Sequence, residues 1–192
     1  MGPEDAGLRS EWMRYYQDAQ KKPPPPAVVP VPVPPPPPVP VASVAPCPNS
    51  GDQAKTRREV NGVVMKRKNI HITEDDKYGH WWFEIDGKES YGWWPKSAVG
   101  LKETFGGIDG ELNGQSTFNG TPTMDPHHGD AADEEFHPVV SCTDKRTDSE
   151  IKDCLRGFSN AYSGGWRWTF GAGQNCHSFQ NAAMEHCKLE QP

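Results

Sequence analysis

The stretch GHWWFEIDGKESYGWWP, residues 79–95, decides how the rest of the chain is read. Two runs rich in aromatic residues flank Asp86-Gly87, the dipeptide favoured where both central residues of a tight turn need positive φ. His80 to Ile85 and Glu89 to Trp94 therefore read as the two strands of an antiparallel hairpin, and Pro95 ends the second. Side chains alternate along a strand. A hairpin turning at Asp86-Gly87 then places Glu89, Tyr91 and Trp93 on the face that bears His80, with Glu84 sharing it.

Upstream, Val60 to Met65 and Asn69 to Thr73 read as two short strands, and Lys66-Arg67-Lys68 as a solvated strand end. Fourteen of the chain's 20 prolines lie between Pro23 and Pro48. Proline fixes φ and removes a donor, so residues 23–55 form a polyproline linker with no share in a packed core. Before it, Leu8, Trp12, Tyr15, Tyr16 and Ala19 recur at near-helical spacing, which makes residues 1–22 a short amphipathic helix suited to docking. Residues 56–192 are left as one domain, long enough for a single core.

Downstream, residues 106–133 are rich in Gly, Asn, Asp and Thr and read as a long loop or a set of turns. Thr147-Asp148-Ser149-Glu150 fits a capping box and opens a helix with Ile151, Cys154, Leu155, Phe158 and Tyr162 on one face. Gly164-Gly165 stops it, and Trp166 to Phe170 alternates as a strand. A glycine turn, Gly171 to Asn175, leads into a last helix with Cys176, Phe179, Ala183 and Cys187 along one face. Strands followed by helices give an α+β class.

The formal net charge of -6 gives no electrostatic reason to expect nucleic acid or anionic lipid as a partner. No apolar run approaches a membrane span, so stable membrane insertion is not expected. The first residues lack the basic-then-apolar order of a secretory signal, and work outside the cytoplasm would need another route. The five cysteines are Cys47, Cys142, Cys154, Cys176 and Cys187, an odd count that leaves one unpaired within the chain. Cys142 and Cys154 flank the start of the capped helix and are a candidate disulfide.

The segment GAGQNCHSFQNAAMEHC carries the chemistry. It delivers Cys176 to the first turn of a helix, where unsatisfied N–H groups and the helix dipole favour negative charge on sulfur. The same N–H groups can hold an oxyanion, with the Cys176 amide and the Gln174 side chain as candidates. His80, on a rigid strand, is the candidate base. A bland reading of the same residues makes Cys176 a small buried side chain and His80 a satisfied core residue. A rival cluster runs from Asp125, His127, His128 and Asp130 to Asp133, Glu134, Glu135 and His137. Its spacing matches no metal motif, so the loop is expected to cover the active-site cleft, and no metal or other cofactor is called for. His177 and His186 read as helix-surface residues, and His71 has no distinct role. The six tryptophans from Trp81 to Trp168 could instead line a glycan- or peptide-binding groove without chemistry.

A strand histidine in GHWWFEI followed late in the chain by NCHSF resembles the circularly permuted branch of the NlpC-type cysteine hydrolases, which includes the lecithin:retinol acyltransferase-like proteins. The pair GHWWFEI and ESYGWWP also resembles bacterial effector domains exported by type VI secretion. The resemblance implies a papain-like fold, an antiparallel sheet packed against a nucleophile-bearing helix. It implies amide hydrolysis through Cys176 and His80, with peptidoglycan stem or cross-link peptides as substrate and lipid acyl hydrolysis or acyl transfer as the alternative. It further implies a polar residue orienting the imidazole, for which Glu89 and Tyr91 stand even. Its remaining implications are a protein made in the bacterial cytoplasm, carried by a spike or tube component to a target periplasm, and countered by a cognate immunity protein.

Overall fold

A computed structural model of the chain describes residues 56–69, 79–97, 99, 103, 106–168 and 173–192. The expected docking helix, the proline linker, residues 70–73 with His71, and the Thr169–Phe170 end of the aromatic strand lie outside the described residues.

The centre of the domain is the hairpin, with β3 at Gly79–Ile85 and β4 at Glu89–Pro95. Asp86 and Gly87 take φ of 53° and 62°, and Lys88 N–H donates to Ile85 C=O at 3.0 Å, as the Asp-Gly turn predicts. The register differs from the expected one. Lys88 adds a third residue to the connection, so Ile85 pairs with Glu89 and Phe83 with Tyr91. One added residue turns every side chain of β4 to the other face. Ser90, Gly92 and Trp94 therefore share the His80 face, and Glu89, Tyr91 and Trp93 share the opposite face with Trp81, Phe83 and Ile85.

Around the hairpin, β2 (Val63–Asn69), β5 (Ile108–Leu112), β6 (Glu134–Phe136) and β8 (Gly165–Trp166) complete an antiparallel six-stranded sheet in the order β6-β2-β3-β4-β5-β8. β1 (Arg57–Glu59) pairs with β7 (Val139–Ser141) in a separate two-stranded sheet. The first of the two short strands expected before the hairpin is replaced by β1, a turn at Asn61-Gly62 and one longer strand, β2, which takes in Asn69. Lys66 and Arg67 lie within β2 and are partly buried against Glu84 and Glu134, so the basic run is not a solvated end. The glycine-rich stretch from 106 to 133 is not all loop, because it supplies β5.

Two helices, α1 (Asp148–Ala161) and α2 (Cys176–His186), pack on the Phe83–Tyr91–Trp93 face. α1 opens with the expected capping box, Thr147 accepting from Glu150 N–H and Glu150 accepting from Thr147 N–H. Phe179 is the hub, with ring centroids 5.0 Å from Tyr162, 5.8 Å from Phe158 and 6.1 Å from both Phe83 and Trp93. Cys154 on the apolar face of α1 bonds Cys187 at the end of α2, with Cα atoms 5.9 Å apart. The candidate Cys142–Cys154 bridge is therefore not formed. The two helices meet along their apolar faces, which brings Cys154 to Cys187, while Cys142 follows β7 and is disulfide-bonded elsewhere.

Trp82, Trp93, Trp94, Trp166 and Trp168 are all buried, so five of the six tryptophans form core rather than a groove. No helix among the described residues is long and apolar enough to cross a membrane.

Candidate active site

α2 begins where the glycine turn ends. Asn175 caps it by accepting from His177 N–H at 3.0 Å and Ser178 N–H at 3.1 Å. Cys176 is the first helical residue, it is buried, and it is the free thiol among the described cysteines. Its Sγ lies 3.7 Å from the carbonyl of Gly79 at the start of β3, a long contact that leaves the sulfur available to its other neighbour, His80. His80 points to the sheet face away from α2. The two meet because both sit at the end of the sheet, where the first turn of α2 comes level with Gly79.

On its other side His80 Nε2 lies 3.0 Å from Asp125 Oδ2. Asp125 is buried and accepts two further hydrogen bonds, from Trp94 Nε1–H on the same Oδ2 at 2.6 Å and from His127 N–H on Oδ1 at 2.8 Å. The loop that carries Asp125 is fastened to β4. Asn113 N–H donates to Gly92 C=O and its side chain to Ser90 C=O and Thr121 C=O, while Gly92 N–H donates back to Asn113 Oδ1. Ser90 Oγ then accepts from Asp125 N–H at 2.8 Å.

Burial alone would lower the pKa of His80. The charge of Asp125 and its hydrogen bond, helped by Cys176, outweigh that and raise it to about 9. Burial would raise Asp125, but the charge and bond of His80, with Trp94, hold its carboxyl below the ordinary value. His127 stands with its ring centroid 5.3 Å from that of His80. Burial, reinforced by the charge on His80 and opposed by the bond to Asp130, pushes it below the ordinary histidine value. Two neighbouring imidazoles are thus driven apart, His80 charged and His127 neutral at pH 7.

Glu89 and Tyr91, the expected orienting residues, are not at His80. Tyr91 donates to Glu89 Oε2 at 2.7 Å, and Arg156 of α1 clasps Glu89 at 2.6 to 3.1 Å on the helix side of the sheet. The one-residue register change put them there. Glu84 does share the His80 face, but Lys66, Trp82 and Gly129 N–H occupy its carboxylate. Gln174 donates to Tyr162 Oη at 3.2 Å and Ser163 C=O at 3.4 Å, so its amide is already engaged. Among the described residues nothing accepts from the Cys176 N–H, which stays the better oxyanion candidate. His177 is half-buried rather than on the surface, stacked on Trp81 at 4.5 Å between ring centroids. His186 is exposed, with Phe158 beside it.

The rival metal cluster is dispersed. Asp125 and His127 turn inward, Asp130 bonds His127 Nδ1, and Glu134 pairs with Arg67. No group of three or more His, Cys, Asp or Glu among the described residues is placed to hold a metal ion. Sequence reasoning missed Asp125 as a partner of His80. The loop's density in His and Asp is a signal, but it reads as a ligand set, and nothing local marks one acid as an orienter.

Thiol, imidazole and carboxylate in sequence are a set able to form and break an acyl–sulfur bond. Residues 51–150 match the model of the Neprosin family, and the chain belongs to that family. The family is peptidase-related, which makes the protein a peptidase-type hydrolase. The matched stretch holds His80 and Asp125 and ends before Cys176. No curated protein and no solved structure matches the chain.

Proposed function

We propose that the protein is a cysteine peptidase in which Cys176 is the nucleophile, His80 the proton carrier and Asp125 the residue that orients His80. The observation that carries this reading is the position of one imidazole between a buried carboxylate and the thiol at a helix start. With its pKa raised to about 9, His80 holds a proton at neutral pH beside the sulfur of Cys176. Sulfur attacks the carbonyl carbon, and the Cys176 N–H supports the resulting oxyanion. The C–N bond breaks as His80 gives its proton to the leaving amine. Neutral His80 then takes a proton from water, whose oxygen attacks the thioester, and the carboxylic acid departs as sulfur regains its resting state.

The wall-peptide substrate and the periplasmic site of action belong to the same proposal. The disulfides at Cys154–Cys187 and at Cys142 support action in an oxidising compartment. The test is mass analysis of purified bacterial wall fragments and of an unfolded polypeptide after incubation with wild type, Cys176→Ala and Asp125→Asn. Cysteine chemistry predicts no turnover by Cys176→Ala and a loss of roughly 10²-fold or more in kcat for Asp125→Asn. Undiminished cleavage by folded Cys176→Ala overturns the assignment and moves the chemistry to a carboxylate.

A further inference from the structure

At the end of the sheet beside which α2 sets Cys176, a cleft of about 380 Å³ opens between β5 and β8, lined by Gly106, Gly107, Asp109, Gly165, Arg167 and Gln174 among others. Its floor is made by absent side chains. Asp109 pairs with Gly165 across the two strands, and the stem of Arg167 lies over Gly107, whose Cβ would meet Arg167 Cβ at 3.7 Å. Asp109 and Arg167 are therefore diagonal neighbours on one face, with glycine opposite each. Both are exposed, and among the described residues no ion pair joins them. Diagonal positions on adjacent antiparallel strands lie about 7–8 Å apart. Side chains two residues apart on an extended peptide share a side and are separated by about 6.6 Å.

The cleft also has a fixed relation to Cys176. Pro95 pairs with Gly110, and continuing the hairpin register sets Gly79 opposite Pro95. Gly79, the neighbour of Cys176, is thus two strand spacings from β5, about 10 Å, or about three residues of extended chain.

We propose that this cleft is a specificity site for the peptidase reading above, on which the proposal rests. It takes an extended peptide segment with two oppositely charged side chains two residues apart, beginning about three residues from the scissile bond. Asp109 meets the cationic side chain and Arg167 the anionic one. Such a site reads order as well as charge, since Lys-x-Glu and Glu-x-Lys present opposite ends to the same pair.

The test uses fluorescence-quenched peptides that differ only in this triplet: Lys-x-Glu, Glu-x-Lys and Gln-x-Gln. Wild type is expected to favour one charged order over the other by about three- to tenfold in kcat/KM. The double exchange Asp109→Lys with Arg167→Glu is expected to reverse that preference. The full-length Cys176→Ala protein, titrated with the same peptides by fluorescence anisotropy, should show the same order of affinity without turnover. Indifference to order in wild type, or a preference unchanged by a folded double exchange, overturns the site. Selective binding by Cys176→Ala together with undiminished turnover overturns the nucleophile and upholds the cleft.

Discussion

Gly92 is the residue on which the site leaves least room. A Cβ there would stand 2.1 Å from Asp125 Oδ2 and 3.0 Å from His80 Nε2. Gly92→Ala should push the carboxylate off the imidazole, reducing kcat by roughly 10²-fold and stability by about 1–3 kcal/mol. Steady-state kinetics alongside thermal melting checks this, and normal turnover would show that the pair has space to spare. The same pair sets a pH dependence. Because the pKa of His80 is raised from 6.5 to about 9 on folding, its stabilising contribution is complete below pH 6.5 and disappears as pH rises through about 9. The melting temperature should fall between pH 7 and 10, and fall less in His80→Gln. Equal slopes in the two proteins would remove His80 as the cause. At this scale the placement of Cys176 at a helix start and of His80 on a strand was legible, because both leave a local pattern. Asp125 was not, since it reaches His80 from 45 residues away through a loop held by Asn113 and Ser90.

At the scale of elements, most of the hairpin, the capping box of α1 and the start of α2 could be read directly, because turn and cap chemistry are local. The register could not. Asp-Gly prescribes the turn but not whether Lys88 joins the strand or the connection, and packing of Phe83 and Trp93 on Phe179, with Tyr91 beside Phe83, decides it. The disulfide is a second case, since helix faces are legible but which cysteines they bring together depends on how the helices dock. Cys154 and Cys187 are 33 residues apart in sequence, and chain-entropy reasoning assigns such a cross-link about 3–4 kcal/mol. Replacing both by serine should lower the unfolding free energy by that amount in a denaturant titration. Peptide mapping under non-reducing conditions should recover the two joined, and recovery of a Cys142–Cys154 peptide would contradict the assignment.

For the whole molecule, α2 carries opposite redox demands at its two ends. On the proposed mechanism Cys176 must remain a thiol to act, whereas Cys187 must remain oxidised to hold α2 on α1. Activity measured against reductant concentration should pass through a maximum, rising as oxidised Cys176 is restored and falling as the Cys154–Cys187 bond opens. A curve that only rises would mean that the bond is dispensable for turnover. Among the described residues every core residue lies between Val60 and Leu189. How these residues close on themselves was not legible at this scale, because it depends on a bridge far apart in sequence. Val139 of β7 pairs with Glu59 on one side and exchanges two 2.9 Å hydrogen bonds with Glu190 on the other, and Arg57 reaches Glu190 at 2.8 Å. Glu59 and Glu190 thus stand about 10 Å apart across one shared strand. Such a domain lends itself to being spliced into a surface loop of an unrelated host protein, or to having its ends joined by a few residues and reopened at an exposed turn, with the interior undisturbed.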